Sequence, residues 1–152
     1  MANSQAMATS FKGELLNAYH NFSATNPART VNTADTFKAA LYLASATTGA
    51  ATTAYTATGE VTGTGYTAGG VSVGTWNAPT TSGTTGYTTP TSSITYTSVT
   101  LTTAFDAVLI YNNSQGNRAV SVHTFGSQTV TAGTFTLTMP TNAAGTALIN
   151  IA

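Results

Sequence analysis

Ile94-Thr-Tyr96, Val99-Thr-Leu101, Ala107-Val-Leu-Ile-Tyr111, Ala119-Val-Ser-Val-His123 and Phe135-Thr-Leu-Thr-Met139 carry the reading that decides the fold. Four of these phrases alternate apolar with polar or small residues, the period of a strand with one buried face. The fifth, Ala107–Tyr111, is apolar throughout and reads as a buried strand. Asn112–Asn117 is polar and carries Gly116, so it predicts a turn. Ala147–Ile151 supplies a last strand. The inward face is predicted to include Leu109, Tyr111, Val120, Val122, Phe135, Leu137 and Ile149. Short strands separated by turn signals predict an all-β chain, an antiparallel β-sandwich or jelly roll of about eight strands.

Upstream, Phe37, Ala39, Leu41 and Leu43 alternate with Lys38, Ala40 and Tyr42, which predicts a strand over 36–43. Residues 44–70 are rich in Thr, Ala and Gly and read as a long irregular connection. Val71-Ser-Val73 resumes alternation. Residues 77–93 hold Pro79, Gly83, Gly86 and Pro90 among threonines and serines, and read as an excursion without a core of its own. Phe11, Leu15, Leu16 and Tyr19 fall at helical spacing, so 10–20 predicts one short amphipathic helix with Ser10 as N-cap and Glu14 in its first turn. Asn26-Pro27 closes any helix there. The organisation expected is an N-terminal arm over 1–34, making contacts between subunits, and a single β-domain over 35–152.

Composition narrows the function. The 152 residues include 35 Thr, 25 Ala, 14 Gly and 12 Ser, no Cys, and only four basic and four acidic side chains, for a net charge of zero. An ordinary soluble domain is about 25% charged; this one is 5%. No basic patch is present to neutralise phosphates, which argues against nucleic-acid partners. Thiolate metal sites and disulfide scaffolds are excluded. No apolar run approaches the roughly 20 residues of a membrane span. Met1–Ser10 has neither a basic start nor an apolar stretch, so no secretory signal is expected there, and the acceptor-like Asn21-Phe-Ser23 and Asn112-Asn-Ser114 read as chance matches. A neutral, Thr-rich surface is poorly defended against association, which points to work inside an assembly.

Motifs for chemistry are few. Gly70-Val-Ser72-Val-Gly74 matches the G-x-S-x-G elbow, and Asp106 and His123 follow in hydrolase order, but Val71 and Val73 alternate as in a strand and no helix follows. Gly63-Thr-Gly65-Tyr-Thr-Ala68 fits a dinucleotide loop only loosely. His20 and His123 show no ligand spacing with Glu14, Asp35, Glu60 or Asp106, so no metal or other cofactor is expected. Four acids leave little room for a carboxylate-pair glycosidase. The chain is therefore read as non-enzymatic. Trp76, Tyr87 and Tyr96 flank the 77–93 excursion. Exposed, they would stack on sugar rings, while packing in a core or a protein interface is favoured. With Phe11, Leu15 and Tyr19 they are the candidate interface residues.

Two blocks resemble small structural proteins of tailed-phage virions. One runs through Asp35-Thr-Phe-Lys-Ala-Ala-Leu-Tyr-Leu-Ala-Ser-Ala46, Thr52-Thr-Ala-Tyr-Thr-Ala-Thr-Gly-Glu-Val61 and Gly65-Tyr-Thr-Ala-Gly-Gly70. The other comprises Ala107-Val-Leu-Ile-Tyr-Asn-Asn113, Arg118-Ala-Val-Ser-Val122, Phe125-Gly126 and Gly133-Thr-Phe-Thr-Leu-Thr-Met-Pro140. The stretch 76–97 departs from that pattern. The resemblance implies a capsid cement (decoration) protein, made in the host cytoplasm and bound on the outer capsid surface. Its implied partners are the major capsid protein and further copies of itself in a dimer or trimer, with neither nucleic acid nor membrane involved. A tail, neck or fibre component, or a carbohydrate-binding β-sandwich for host attachment, are the alternatives.

Overall fold

The computed structural model describes residues 2–16, 19–23 and 33–152. Arg29 and the Asn26-Pro27 break lie outside the described residues. Eight strands and one helix follow in chain order: β1 (Ala6–Met7), α1 (Thr9–Leu16), β2 (Phe37–Leu43), β3 (Val71–Ser72), β4 (Thr80–Ser82), β5 (Thr85–Thr88), β6 (Ile94–Asn112), β7 (Arg118–Leu137) and β8 (Ile149–Ile151). They form two antiparallel sheets, one in the order β1-β7-β6-β2-β3 and one in the order β4-β5-β8. The all-β sandwich expected from the alternation is present. Among the described residues no helix is long and apolar enough to cross a membrane.

The central element is the β6–β7 hairpin. The alternating phrases read as separate short strands are joined into two strands of 19 and 20 residues. Phe125 and Phe135 both lie on β7, and a straight strand would hold them about 33 Å apart. Their rings are 5.3 Å apart, and both pack on Phe105. The hairpin therefore doubles back on itself. Four register shifts between Tyr96 and Ala107 mark the corner. Ser98 and Ala132 adopt left-handed backbone angles beside it. Extra residues in one strand bend it and raise its twist, which is how a strand passes from one layer of a sandwich to the other.

Residues 107–112 are buried on both faces of the sheet. One face carries Leu109 between Ala40 and Val122, with Tyr111 two residues on. It is covered by the 44–70 connection: Tyr55 stacks on Tyr111, whose hydroxyl donates to the Gly69 carbonyl at 2.8 Å. The other face carries Val108 and Ile110 opposite Leu41 and Ala39. Val108 and Ile110 share a cleft with Ile94, Leu137 and Ile149. Hence the residues expected to form a single inward face are divided. Leu109, Tyr111, Val120, Val122 and Ile149 are buried, and Phe135 and Leu137 are half-buried against the core. Leu109 and Tyr111, however, face the opposite way from Ile149. A continuous apolar run is the pattern of a strand covered on both sides, and that accounts for Ala107–Tyr111.

Three further expectations are corrected. Residues 77–93 are not a bare excursion: β4 and β5 form a hairpin there, and Gly86, Tyr87 and Thr88 pair with Ile151, Asn150 and Ile149. The helix begins at Thr9, so Ser10 lies inside it and is not its N-cap. The Ser10 hydroxyl is buried without a partner among the described residues, and Glu14 is beyond the first turn. Residues 2–11 are part of the fold rather than a free arm. Ala6 and Met7 pair with Val122 and Ser121, and Ala8 and Phe11 are fully buried. The Asn3 amide donates to the Leu43 carbonyl (3.0 Å) and to Asp106 (2.6 Å), and its oxygen accepts from Thr48. Removing 1–9 would strip a strand from the sheet, so contacts within the chain suffice to order this segment.

Candidate interaction surface

The six interface candidates separate by burial. Tyr96 is 1% exposed, and its hydroxyl donates to the Ala39 carbonyl at 2.8 Å. Trp76 is 6% exposed, edge-on to Phe22 and Phe37 with ring centres at 4.8 and 5.3 Å. Phe11 is fully buried beside His20 and Phe22. A side chain consumed by its own subunit offers a partner little area, so Trp76 and Tyr96 are core residues rather than anchors. They form no stacking platform for sugar rings. Tyr19 is exposed and lies 4.3 Å beneath the Arg118 guanidinium.

The remaining candidates converge. Phe11, Leu15 and Tyr87 line one groove of about 440 Å³ with Phe22, Pro79 and Ile151. The helix supplies Phe11 and Leu15 at i and i+4, on one side of α1. The second sheet supplies Tyr87 and Ile151 from adjacent strands. Apart from Tyr19, Ile151 is the one large hydrophobic residue left exposed among those described. Sequence reading missed it; the apolar alternation of Ile149-Asn-Ile151 was the available signal.

All four acids are engaged within the molecule. Glu14 is buried between Arg118 (2.7 Å) and His20 (2.7 Å). Asp35 accepts from the Asn21 backbone N–H, the Asn112 amide and Gln115. Asp106 holds Asn3. Glu60, 6% exposed, accepts from the hydroxyls of Tyr55 (2.6 Å) and Tyr66 (2.7 Å) and from the Gly69 N–H (2.7 Å). Such a carboxylate is tolerable in a core only because each of its oxygens is met. Burial, reinforced by the Glu60 charge, pushes Tyr111 up to about 12 and raises Tyr55 and Tyr66 as well. What remains outside is dressed mainly in threonine: Thr95, Thr97, Thr102, Thr103, Thr134 and Thr136 are exposed along the hairpin.

The histidines are held neutral. The Asn112 oxygen accepts from the Ser114 N–H (3.0 Å), so its amino group must face both Asp35 (2.8 Å) and His20 Nδ1 (3.1 Å). His20 Nδ1 is then an acceptor, and its Nε2–H donates to Glu14. Burial lowers the pKa of His20, and the bond to Glu14 opposes that only in part. His123 meets Ser121 Oγ at 2.9 Å in a cleft of about 650 Å³ that has no acid or base besides His123 itself, and burial lowers it to about 4.

The motifs for chemistry do not assemble. Ser72 pairs with Lys38 on the edge strand β3, whereas His123 is on β7. Three strand spacings, about 14 Å, separate those strands. The glycines of 63–70 serve close packing instead. A Cβ at Gly65 would collide with the Ser98 carbonyl, and one at Gly70, where φ is +71°, with the Ala39 carbonyl. The described residues contain no cluster of three or more metal-ligating side chains. No family model, no curated protein and no solved structure matches the chain.

Proposed function

We propose that the chain is a non-enzymatic structural protein of a tailed-phage virion, a cement protein that binds the outside of the capsid across copies of the major capsid protein. One observation carries the reading: Glu14, Asp35, Glu60, Asp106 and Arg118 are all engaged within the molecule, and the described exterior is rich in threonine and holds an apolar groove. A protein of this kind binds without desolvating charge, whose burial is costly. Its contacts depend little on salt. Many copies on a symmetric shell add weak contacts through avidity. The groove of Leu15, Tyr87 and Ile151 is the docking site for the capsid protein, and the virion resemblance of the 35–70 and 107–140 blocks agrees with that partner.

Quantified stoichiometry of purified particles tests this. Cement is expected in hundreds of copies per particle. A few or tens of copies would assign the chain to the tail, neck or a fibre and end the capsid reading.

A further inference from the structure

Among the described residues, the outer edge of β7 lacks a partner beyond Val122. β1 pairs with it only at Ser121 and Val122, after which the chain leaves to bond Thr48 through Ser4. Among the described residues, no backbone group outside the hairpin bonds to residues 123–139. Folded proteins defend such edges with charge, proline or cover, because an open edge is a template for another strand. From Gly133 to Met139 this edge has neither charge nor proline.

That segment is also self-complementary. Thr134-Phe135-Thr136-Leu137-Thr138 reads the same type of residue in both directions about Thr136. Its pairing to β6 is regular about Thr136, with Ile94–Leu137, Thr95–Thr136 and Tyr96–Phe135; the corner begins beyond Phe135, at the shift between Tyr96 and Val99, and β7 ends at Leu137. Phe135 and Leu137 are half-buried toward the core, while Thr134, Thr136 and Thr138 are exposed. Antiparallel pairing of two copies about Thr136 would set Phe135 opposite Leu137 twice on the inner face and Thr134 opposite Thr138 twice on the outer face. Aromatic–aliphatic and Thr–Thr cross-strand pairs are both favourable. With no charge on either copy, nothing repels.

We infer that the Gly133–Met139 edge is a homodimer interface, in which two copies pair antiparallel across a two-fold axis at Thr136. This does not depend on the capsid reading. A foreign strand would need no such symmetry about Thr136, which is why a second copy is the occupant. The interface is isologous, so a charge at Thr136 meets its own copy at about 5 Å.

Sedimentation of the full chain between about 1 and 100 μM tests it. The protein is expected to be a dimer. Thr136→Lys and Thr136→Glu, each made at an exposed side chain, should each weaken dimerisation at least tenfold while leaving the thermal midpoint of the monomer close to that of the parent. Mixing the two variants should restore the dimer, since lysine then faces glutamate. A parent protein that stays monomeric at 100 μM overturns the inference. So do variants that associate as the parent does, or a mixture that fails to recover.

Discussion

Glu60→Ala is expected to lower folding stability by about 4 kcal/mol. The substitution leaves the Tyr55 and Tyr66 hydroxyls and the Gly69 N–H without their acceptor, and each unmet buried group costs about 1–3 kcal/mol. A domain of this size holds about 5–15 kcal/mol in total. The loss propagates. The Tyr66 hydroxyl also accepts from the Leu41 N–H at 3.0 Å, and residues 59–61 hold the flank of β2 through Leu43 N–H to Gly59 O and Val61 N–H to Leu41 O. Tyr55, Tyr66 and Gly69 of the cover over the Leu109–Tyr111 face are therefore drawn together at Glu60. Glu60→Gln should cost less, because its one remaining oxygen still accepts while its amino group faces donors. Urea unfolding of the three proteins checks the order. Equal midpoints for the parent and the alanine variant would show that the carboxylate does not hold the cover.

Acid should destabilise the protein between about pH 6.5 and 4, through the histidines. In the unfolded chain a histidine binds its proton near pH 6.5. In the fold His123 binds one only near pH 4. Between those values the unfolded chain holds more protons than the folded one, so stability rises with pH across that window and falls as acid is added. The loss is complete below about pH 4, and reaches about 3 kcal/mol at most because the ring keeps some contact with water. His20 contributes in the same direction. Protonating its Nδ1 would replace the acceptor with an N–H donor facing the Asn112 amino group. Unfolding free energies at pH 7.5 and 4.5 should differ accordingly, and His123→Gln should remove most of the difference. A variant whose stability keeps the full slope would assign the acid sensitivity elsewhere.

Much of the sandwich was legible in the chain, because alternation is a local signal: Phe37–Leu43, Ile94–Tyr96 and Phe135–Leu137 each write their own period of two. The corner in the hairpin was not. It arises from mismatched residue counts on two strands, and neither Ser98 nor Ala132 announces a left-handed backbone. The β4–β5 hairpin was read as loop because its last partner, β8, lies some 60 residues on, and pairing at that range leaves no trace in composition. Two residues of β1 are too short for any period to show. The groove was legible in part. Phe11, Leu15 and Tyr87 stood out as large apolar or amphipathic groups in polar surroundings. Trp76 and Tyr96 stood out in the same way, yet the fold consumed them, since size and aromaticity mark a core anchor and an interface anchor alike. Glu60 was one acid among four; nothing in its neighbourhood except Tyr55 and Tyr66 hinted that they would close around it.

The proposed role for this protein is to strengthen a capsid through neutral contacts. Thermal release of DNA from purified particles, with and without the protein and at low and high ionic strength, tests it most directly. Particles lacking the protein are predicted to assemble, to release DNA at a lower temperature, and to regain the higher temperature when the protein is added back, with the gain nearly unchanged by salt. Equal release temperatures with and without it would contradict the account.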